Sequence, residues 1–289
     1  MLMAVPNVSE GRDRGILQLL GRAFSPARVL DVHTDVDHGR SVYTLAAAQG
    51  ALSDGLVSGA AAVLEAIDLR RHTGLHPFVG ALDVLPVVYL DHDRRGPACA
   101  EALTAAARIG AELELPVVLY GELASEPEHR ERAWLRRAGV LGLAERIEAG
   151  EVVPDYGPHR AHPAAGVVLA TARPPLIAFN VDLVSDDVEL ARRIAADIRE
   201  SGGGLAGVRA IGLYLAERGR AQVSTNVHDH LATPLREVVE AIRQRADVAE
   251  AELVGLAPRA ALEGFPADVT LRGFAAERHV IENALRSGG

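Results

Sequence analysis

Cysteine is nearly missing from this chain of 289 residues: Cys99 stands alone, so no intrachain disulfide can form. That suits a reducing compartment. Aromatic residues make up only 4%, with one tryptophan, which leaves an aliphatic core of Ala, Val and Leu. No apolar run reaches the ~18 residues that a membrane span needs. The N-terminal segment has neither the basic start nor the apolar stretch of a secretion signal. A cytoplasmic location with no membrane partner is therefore expected. An excess of basic charge is also missing. The formal net charge is −9, which disfavours nucleic acid or an anionic membrane as a partner. What remains is 48% hydrophobic and 24% charged, the balance of a globular protein. The length allows a large core or two domains.

Periodicity predicts a strand over 2–5, a helix whose face carries Ile16, Leu17, Leu19, Leu20 and Phe24, and strands over 29–33 and 42–48. A long helix over 52–67 and a strand over 84–90 follow. The order is β-α-β-β-α-β. The second half repeats it. A strand over 176–183 ends in Ser185-Asp186-Asp187, a helix-capping cluster, and a helix over 188–198 follows. Strands over 208–215 and 221–227 are joined through Glu217-Arg218-Gly219. A helix over 235–245 opens with Thr233-Pro234 in the cap and first-turn arrangement, and a strand over 252–256 closes the set. Two copies of a split βαβ unit predict an α+β fold of two tandem ferredoxin-like subdomains. Extra elements sit in the first half: a helix over 99–113, a strand over 117–120 and a mostly helical stretch over 127–149. Residues 152–162 read as the connector between halves. The boundary falls near 172–176, dividing the chain into 1–174 and 175–289, and a short helix is expected over 278–285.

The segment Arg71-His72-Thr73-Gly74-Leu75-His76-Pro77-Phe78-Val79-Gly80 places a histidine in a tight loop between a helix and a strand. Gly74 and Pro77 restrict how that loop turns. A loop histidine with a pKa near ~6.5 can move a proton at neutral pH, although a surface turn would look the same. His72 and His76 are four apart, which on a helix would offer a metal face. Gly74 and Pro77 break any helix there, so no metal is expected. His33, Asp35, Asp37 and His38 form a second polar cluster, open to three readings: a divalent metal, a substrate contact or a solvated hairpin. Gly202-Gly203-Gly204-Leu205-Ala206-Gly207 matches a dinucleotide pattern but follows a helix and precedes a strand, the reverse of what that pattern needs. Residues 155–163 gather His159, Arg160 and His162, either as a polar linker or at a ligand site between halves. His228 and His230 read as a surface loop.

Six motifs then carry a resemblance over nearly the whole length. They are Val5-Pro6-Asn7-Val8-Ser9-Glu10-Gly11-Arg12; residues 33–44, ending Arg40-Ser41-Val42-Tyr43-Thr44; and Gly74-Leu75-His76-Pro77 with Gly80-Ala81-Leu82-Asp83-Val84. The others are Leu176-Ile177-Ala178-Phe179-Asn180-Val181-Asp182-Leu183, Ala221-Gln222-Val223-Ser224-Thr225-Asn226, and Glu252-Leu253-Val254-Gly255-Leu256-Ala257-Pro258. In this order they resemble the formiminotransferase domain family. The resemblance implies two subdomains with a folate site in the cleft between them. It implies transfer of a formimino group from N-formimino-L-glutamate to N5 of tetrahydrofolate, which serves as co-substrate. The family's catalytic acid/base histidine falls on His76, and a folate-contacting segment falls on residues 166–175. Candidate folate or substrate contacts are Asn7, His33, Arg40, His162, Gly166, Thr171, Arg173 and Asn180. Small-molecule substrates are the expected partners, and a homodimer the expected assembly. A cyclodeaminase segment is not expected, since the chain ends soon after its second half.

Two positions depart from the family loop. Leu75 stands where the family has Glu, and Phe78 where it has Arg. A dicarboxylate donor needs cationic partners, so the departures predict weak binding of N-formimino-L-glutamate, unless Arg40, Arg160 or Arg173 supplies the charge. Two alternatives stay open: a transferase with a less acidic donor, and a folate- or metabolite-binding protein without catalysis.

Overall fold

Short apolar segments punctuated by Gly, Asp and Pro build strands in this chain, and longer segments with apolar spacing of three and four build helices. The computed structural model describes residues 1–286. It is a mixed α+β chain that divides into two units, Met1–Pro174 and Pro175–Gly289.

The first unit begins with β1 (Leu2–Ala4) and β2 (Asn7–Val8). Helix α1 (Arg14–Ala23) follows, capped by Asp13, whose carboxylate accepts from Gly15 N at 2.8 Å and Ile16 N at 3.0 Å. Next come β3 (Arg28–Asp35), β4 (Arg40–Ala47), α2 (Ala51–Ala66) and β5 (Leu82–Val88). Helix α2 starts at Gly50, which has no side chain to cap it. The carboxylate of Glu101 fills that role, accepting from Gly50 N and, at 2.7 Å, from Ser53 N. Glu101 belongs to α3 (Arg95–Glu112). Then come β6 (Val117–Leu119), α4 (Arg132–Leu135), α5 (Gly139–Glu148) and β7 (Val168–Arg173).

The strands form one sheet. β3 pairs with β4, β4 with β1 and β2, and these with β5, all antiparallel. Beyond β5 the sheet continues in parallel: β7 lies against β5 with Val84 opposite Leu169, and β6 lies against β7 with Val117 opposite Val168. Strand side chains alternate between faces. Val168 and Ala170 join Leu20, Phe24, Leu56 and Ile109 of α1, α2 and α3 in one core cluster. Val167 and Leu169 join Leu135, Leu143 and Ile147 of α4 and α5 in another. Each fully buried Leu or Phe contributes about 1.5–3 kcal/mol.

β7 is absent from the sequence expectation. The stretch 152–162, expected as the connector between halves, lies inside the first unit. Asp155 N and Tyr156 N donate to Val117 O at 2.9 and 3.2 Å, and Leu119 N donates to Asp155 Oδ2 at 2.7 Å, which pins the stretch along β6.

The second unit runs β8 (Ile177–Leu183), α6 (Val188–Ile198), β9 (Val208–Leu215), β10 (Arg220–Val227), α7 (Leu235–Arg243) and β11 (Val248–Val254). Its sheet has the order β11-β8-β10-β9, antiparallel throughout. Phe179 and Val181 pack with Ile194 and Val239 of the helices. Asn180 and Asp182 alternate with them and therefore face the other side of the sheet. Asp187 caps α6 through Leu190 N at 3.0 Å. Thr233 does not cap α7: Pro234 takes the cap position, and the Thr233 hydroxyl donates to Ala206 O at 2.8 Å. β11 starts earlier than expected, because a register shift between Val248 and Glu250 hides its alternation. The expected terminal helix is two pieces, α8 (Ala276–His279) and α9 (Ile281–Arg286). They are interrupted where Ala257 N donates to His279 O and Ile281 N to Ala257 O, both at 3.0 Å. Among the described residues, no helix is long and apolar enough to cross a membrane.

Candidate active site

His76 lies in the loop between α2 and β5, and backbone contacts fix it there. Leu75 N donates to Asp37 O at 3.1 Å, and His76 N to His38 O at 3.4 Å. The β3–β4 turn and the loop touch backbone to backbone. A Cβ on Gly39, which has φ +62°, would lie 2.6 Å from Gly74 Cα, and one on Gly74 would lie 2.3 Å from His38 O. Only glycine permits that approach. The polar cluster of the β3–β4 turn therefore serves as the loop's seat. His38 N donates to Asp35 Oδ1 at 2.8 Å, which closes the turn, and the His38 and His76 rings lie 5.9 Å apart.

The His76 ring meets two competing groups at one nitrogen. Nδ1 lies 2.8 Å from Pro77 O, an acceptor, and 3.3 Å from Arg40 Nη1, a donor. With its proton on Nδ1, the ring donates to Pro77 O and carries its lone pair on Nε2. Burial is the main force that holds His76 well below the usual histidine range, and the positive charges of Arg40 and Arg136 add to it. The ring is therefore neutral over the physiological range.

Arg40 is itself held rigidly. Its Nε donates to Asn7 Oδ1 at 2.9 Å and its Nη1 to Asp83 Oδ2 at 2.6 Å. Asn7 is fixed in turn through Nδ2 to Val5 O at 2.7 Å. Asp83, at the start of β5, is fully buried. It accepts from Val79 N at 2.9 Å, from Arg40, and from Arg136 on the same Oδ2 atom. Burial pushes the Asp83 carboxyl up, but Arg136 and Arg40 outweigh it and hold the group below its usual range. The chain has no lysine, so every such cation is an arginine.

Of the residues expected from sequence, the structure brings together His76, Arg40 and Asn7. Arg173, at the end of β7, is half-buried, and burial lowers its guanidinium pKa. Thr171 holds the main chain beside it, with its hydroxyl donating to Tyr120 O at 2.6 Å. His162 Nδ1 accepts from Ala165 N at 2.9 Å, and Gly166, bridged to His162 and Gly80, leads into β7. His33 lies on β3 opposite Val42. Arg160 is exposed. Asn180 lies in the second unit, buried on the sheet face away from its helices. Phe78 packs edge-on against His72 with ring centroids 4.4 Å apart, and Leu75 is exposed. Asp83, Arg132 and Arg136 were not among the expected residues. A lone acid entering an apolar strand and two arginines four apart were the available signals. Among the described residues, no three His, Cys, Asp or Glu side chains converge as a metal would require.

Comparisons with known proteins agree on one family. Its profiles match residues 1–173 as the formiminotransferase domain, N-terminal subdomain, and residues 178–266 as the formiminotransferase domain. The chain is 34% identical to the glutamate formimidoyltransferase of Streptococcus pyogenes serotype M1, over 97% of both chains. It is 34% identical to the glutamate formimidoyltransferase of Thermoplasma acidophilum, over 91% of this chain and 89% of that one. With the formimidoyltransferase-cyclodeaminase of Gallus gallus the identity is 38%, over 91% of this chain and 51% of the relative. The chain thus spans about half the length of that larger relative. It belongs to the formiminotransferase domain family.

Proposed function

We propose that this protein transfers a formimino group from N-formimino-L-glutamate to N5 of tetrahydrofolate, and that His76 moves the proton this requires. The observation that carries the reading is the His76 ring: neutral, oriented by Pro77 O and backed by a fixed guanidinium. Tetrahydrofolate, when bound, supplies the secondary amine that attacks the amidine carbon. The residues present suit such a pair of substrates. A neutral imidazole stands ready to accept a proton, and the buried Nε atoms of Arg136 and Arg173 have no hydrogen-bond partner among the described residues, which fits anionic ligands.

His76 Nε2 takes the proton that the attacking amine must lose, while Nδ1–H stays on Pro77 O. The resulting imidazolium faces Arg40 and Arg136 and is disfavoured by both. Nε2 therefore gives the proton up readily to the departing glutamate nitrogen, which completes the transfer and restores the neutral ring. Asn7 and Asp83 act as positioning residues, since both hold Arg40. Arg40 and Arg173 are assigned to substrate contact. In this reading 1–174 and 175–289 are the N- and C-terminal subdomains, the protein works in the cytoplasm on small molecules as a homodimer, and nucleic acid is not a partner.

The test is His76→Ala. Transfer should fall by about 10²–10⁴-fold, with tetrahydrofolate binding retained by calorimetry. Activity within threefold of wild type would remove His76 from this role.

A further inference from the structure

Arg132 and Arg136 are spaced by four on one helical turn, with Arg136 N donating to Arg132 O at 3.0 Å, so their side chains project from the same face. Arg136 spends one N–H on Asp83, and its buried Nε has no partner among the described residues. Arg132 makes no side-chain hydrogen bond or ion pair among them. Its charge nevertheless acts on Arg40, Arg136, Arg173 and His76. The charges of these four guanidinium groups act on one another, and two of them, Arg40 and Arg136, share the one buried carboxylate of Asp83. Cations drawn out of water in this way are costly unless a further anion joins them.

We propose that Arg132 and Arg136 form the seat for the α-carboxylate of the amidine donor, and so select an amino-acid donor over a neutral one. This rests on the transferase reading above. Two adjacent guanidiniums with free N–H groups match a planar carboxylate. Next to His76 the loop offers only an exposed apolar Leu75 and Phe78, which packs on His72. Folate also carries carboxylates, on its glutamyl tail. Those lie beyond the aminobenzoyl ring, far from N5. The donor's α-carboxylate is attached to the very carbon that bears the formimino nitrogen. A carboxylate seated among charges that act on His76 is therefore the donor's.

The test uses Arg132→Gln, since Arg132 holds nothing in the fold, with a thermal melt to confirm that the variant is folded. N-formimino-L-glutamate is titrated calorimetrically into each protein without folate, so that no turnover occurs. Binding should weaken by about ten- to a hundredfold in the variant, and Arg132→Lys should recover part of the loss. The donor with its α-carboxylate converted to a carboxamide should bind wild type as weakly as the acid binds Arg132→Gln. In steady state the loss should appear in the KM of the donor and not in that of mono- or polyglutamylated tetrahydrofolate. Equal donor binding by wild type and variant, or a shift in the KM of folate alone, would overturn the proposal. A wild type that binds the donor through Arg132 but never transfers its formimino group would refute the transferase reading and leave the carboxylate seat standing.

Discussion

Replacing Arg40 by glutamine should move the pH dependence of the reaction, and the direction and size follow from the site. Arg40 Nη1 is 3.3 Å from His76 Nδ1, so its charge opposes protonation of the ring. A unit charge at about 4 Å is worth about 4 kcal/mol at an effective dielectric of about 20. Asp83, 2.6 Å from the same Nη1 atom, keeps its charge in the variant, as do Arg132 and Arg136, so the substitution removes the Arg40 charge alone. The His76 pKa of Arg40→Gln should therefore rise. The acid limb of kcat/KM against pH reports the base of the free enzyme. In wild type that limb should lie well below the usual histidine range, and in Arg40→Gln it should shift upward, while Arg40→Lys keeps it low. A limb that stays put, or moves to lower pH, would refute the electrostatic account. The same depression has a stability sign. The folded state binds fewer protons than the unfolded chain below about pH 6.5, so stability should fall as pH drops beneath that value.

Three further outcomes are expected. Dialysis against EDTA should leave transfer unchanged; loss restored by zinc would instead assign a metal to His33, Asp35, Asp37 and His38. Glu101→Ala should lower stability by about 1–3 kcal/mol in urea titration, because two N–H groups at the start of α2 lose their acceptor; an unmoved midpoint would show that solvent caps the helix equally well. Ala138 sits at φ +62°, where a non-glycine residue costs about 1–2 kcal/mol. Ala138→Gly gives back about 0.4–1 kcal/mol through the freer unfolded chain, so a small net rise in Tm is predicted, and a fall would count against it.

How much of this was legible in the sequence differs by element. The strands and helices on either side of the His76 loop follow their periodicity, and Gly74 and Pro77 mark the loop itself. A surface turn would carry a histidine between such residues equally well, so it was the resemblance to the family loop that singled out His76. β7 escaped because Val167-Val168-Leu169-Ala170-Thr171-Ala172 is apolar on both faces. A strand buried between two helical layers has no alternation to show. Arg132 and Arg136 escaped for another reason. They lie in the stretch 127–149, which reads only as mostly helical, and it is the tertiary fold that brings Arg136 onto Asp83. Nor could the departures at Leu75 and Phe78 be weighed from sequence alone, because charge missing from one loop can be supplied by residues distant along the chain.

The position of β7 bears on how the protein is made. It is the last strand of the first unit to leave the ribosome, yet it stands between β5 and β6 in the finished sheet. Until residue 173 has emerged, β6 has no strand of the sheet to join, and β5 ends the nascent sheet with its backbone N–H and C=O groups bare. Such a rim templates pairing with any neighbouring chain, and parallel, non-local pairings form slowly. Synthesis of the second unit is therefore the interval in which the first must close. A stalled or truncated product ending before Val168 should aggregate or require a chaperone, whereas one ending just after Pro174 holds every strand its sheet needs.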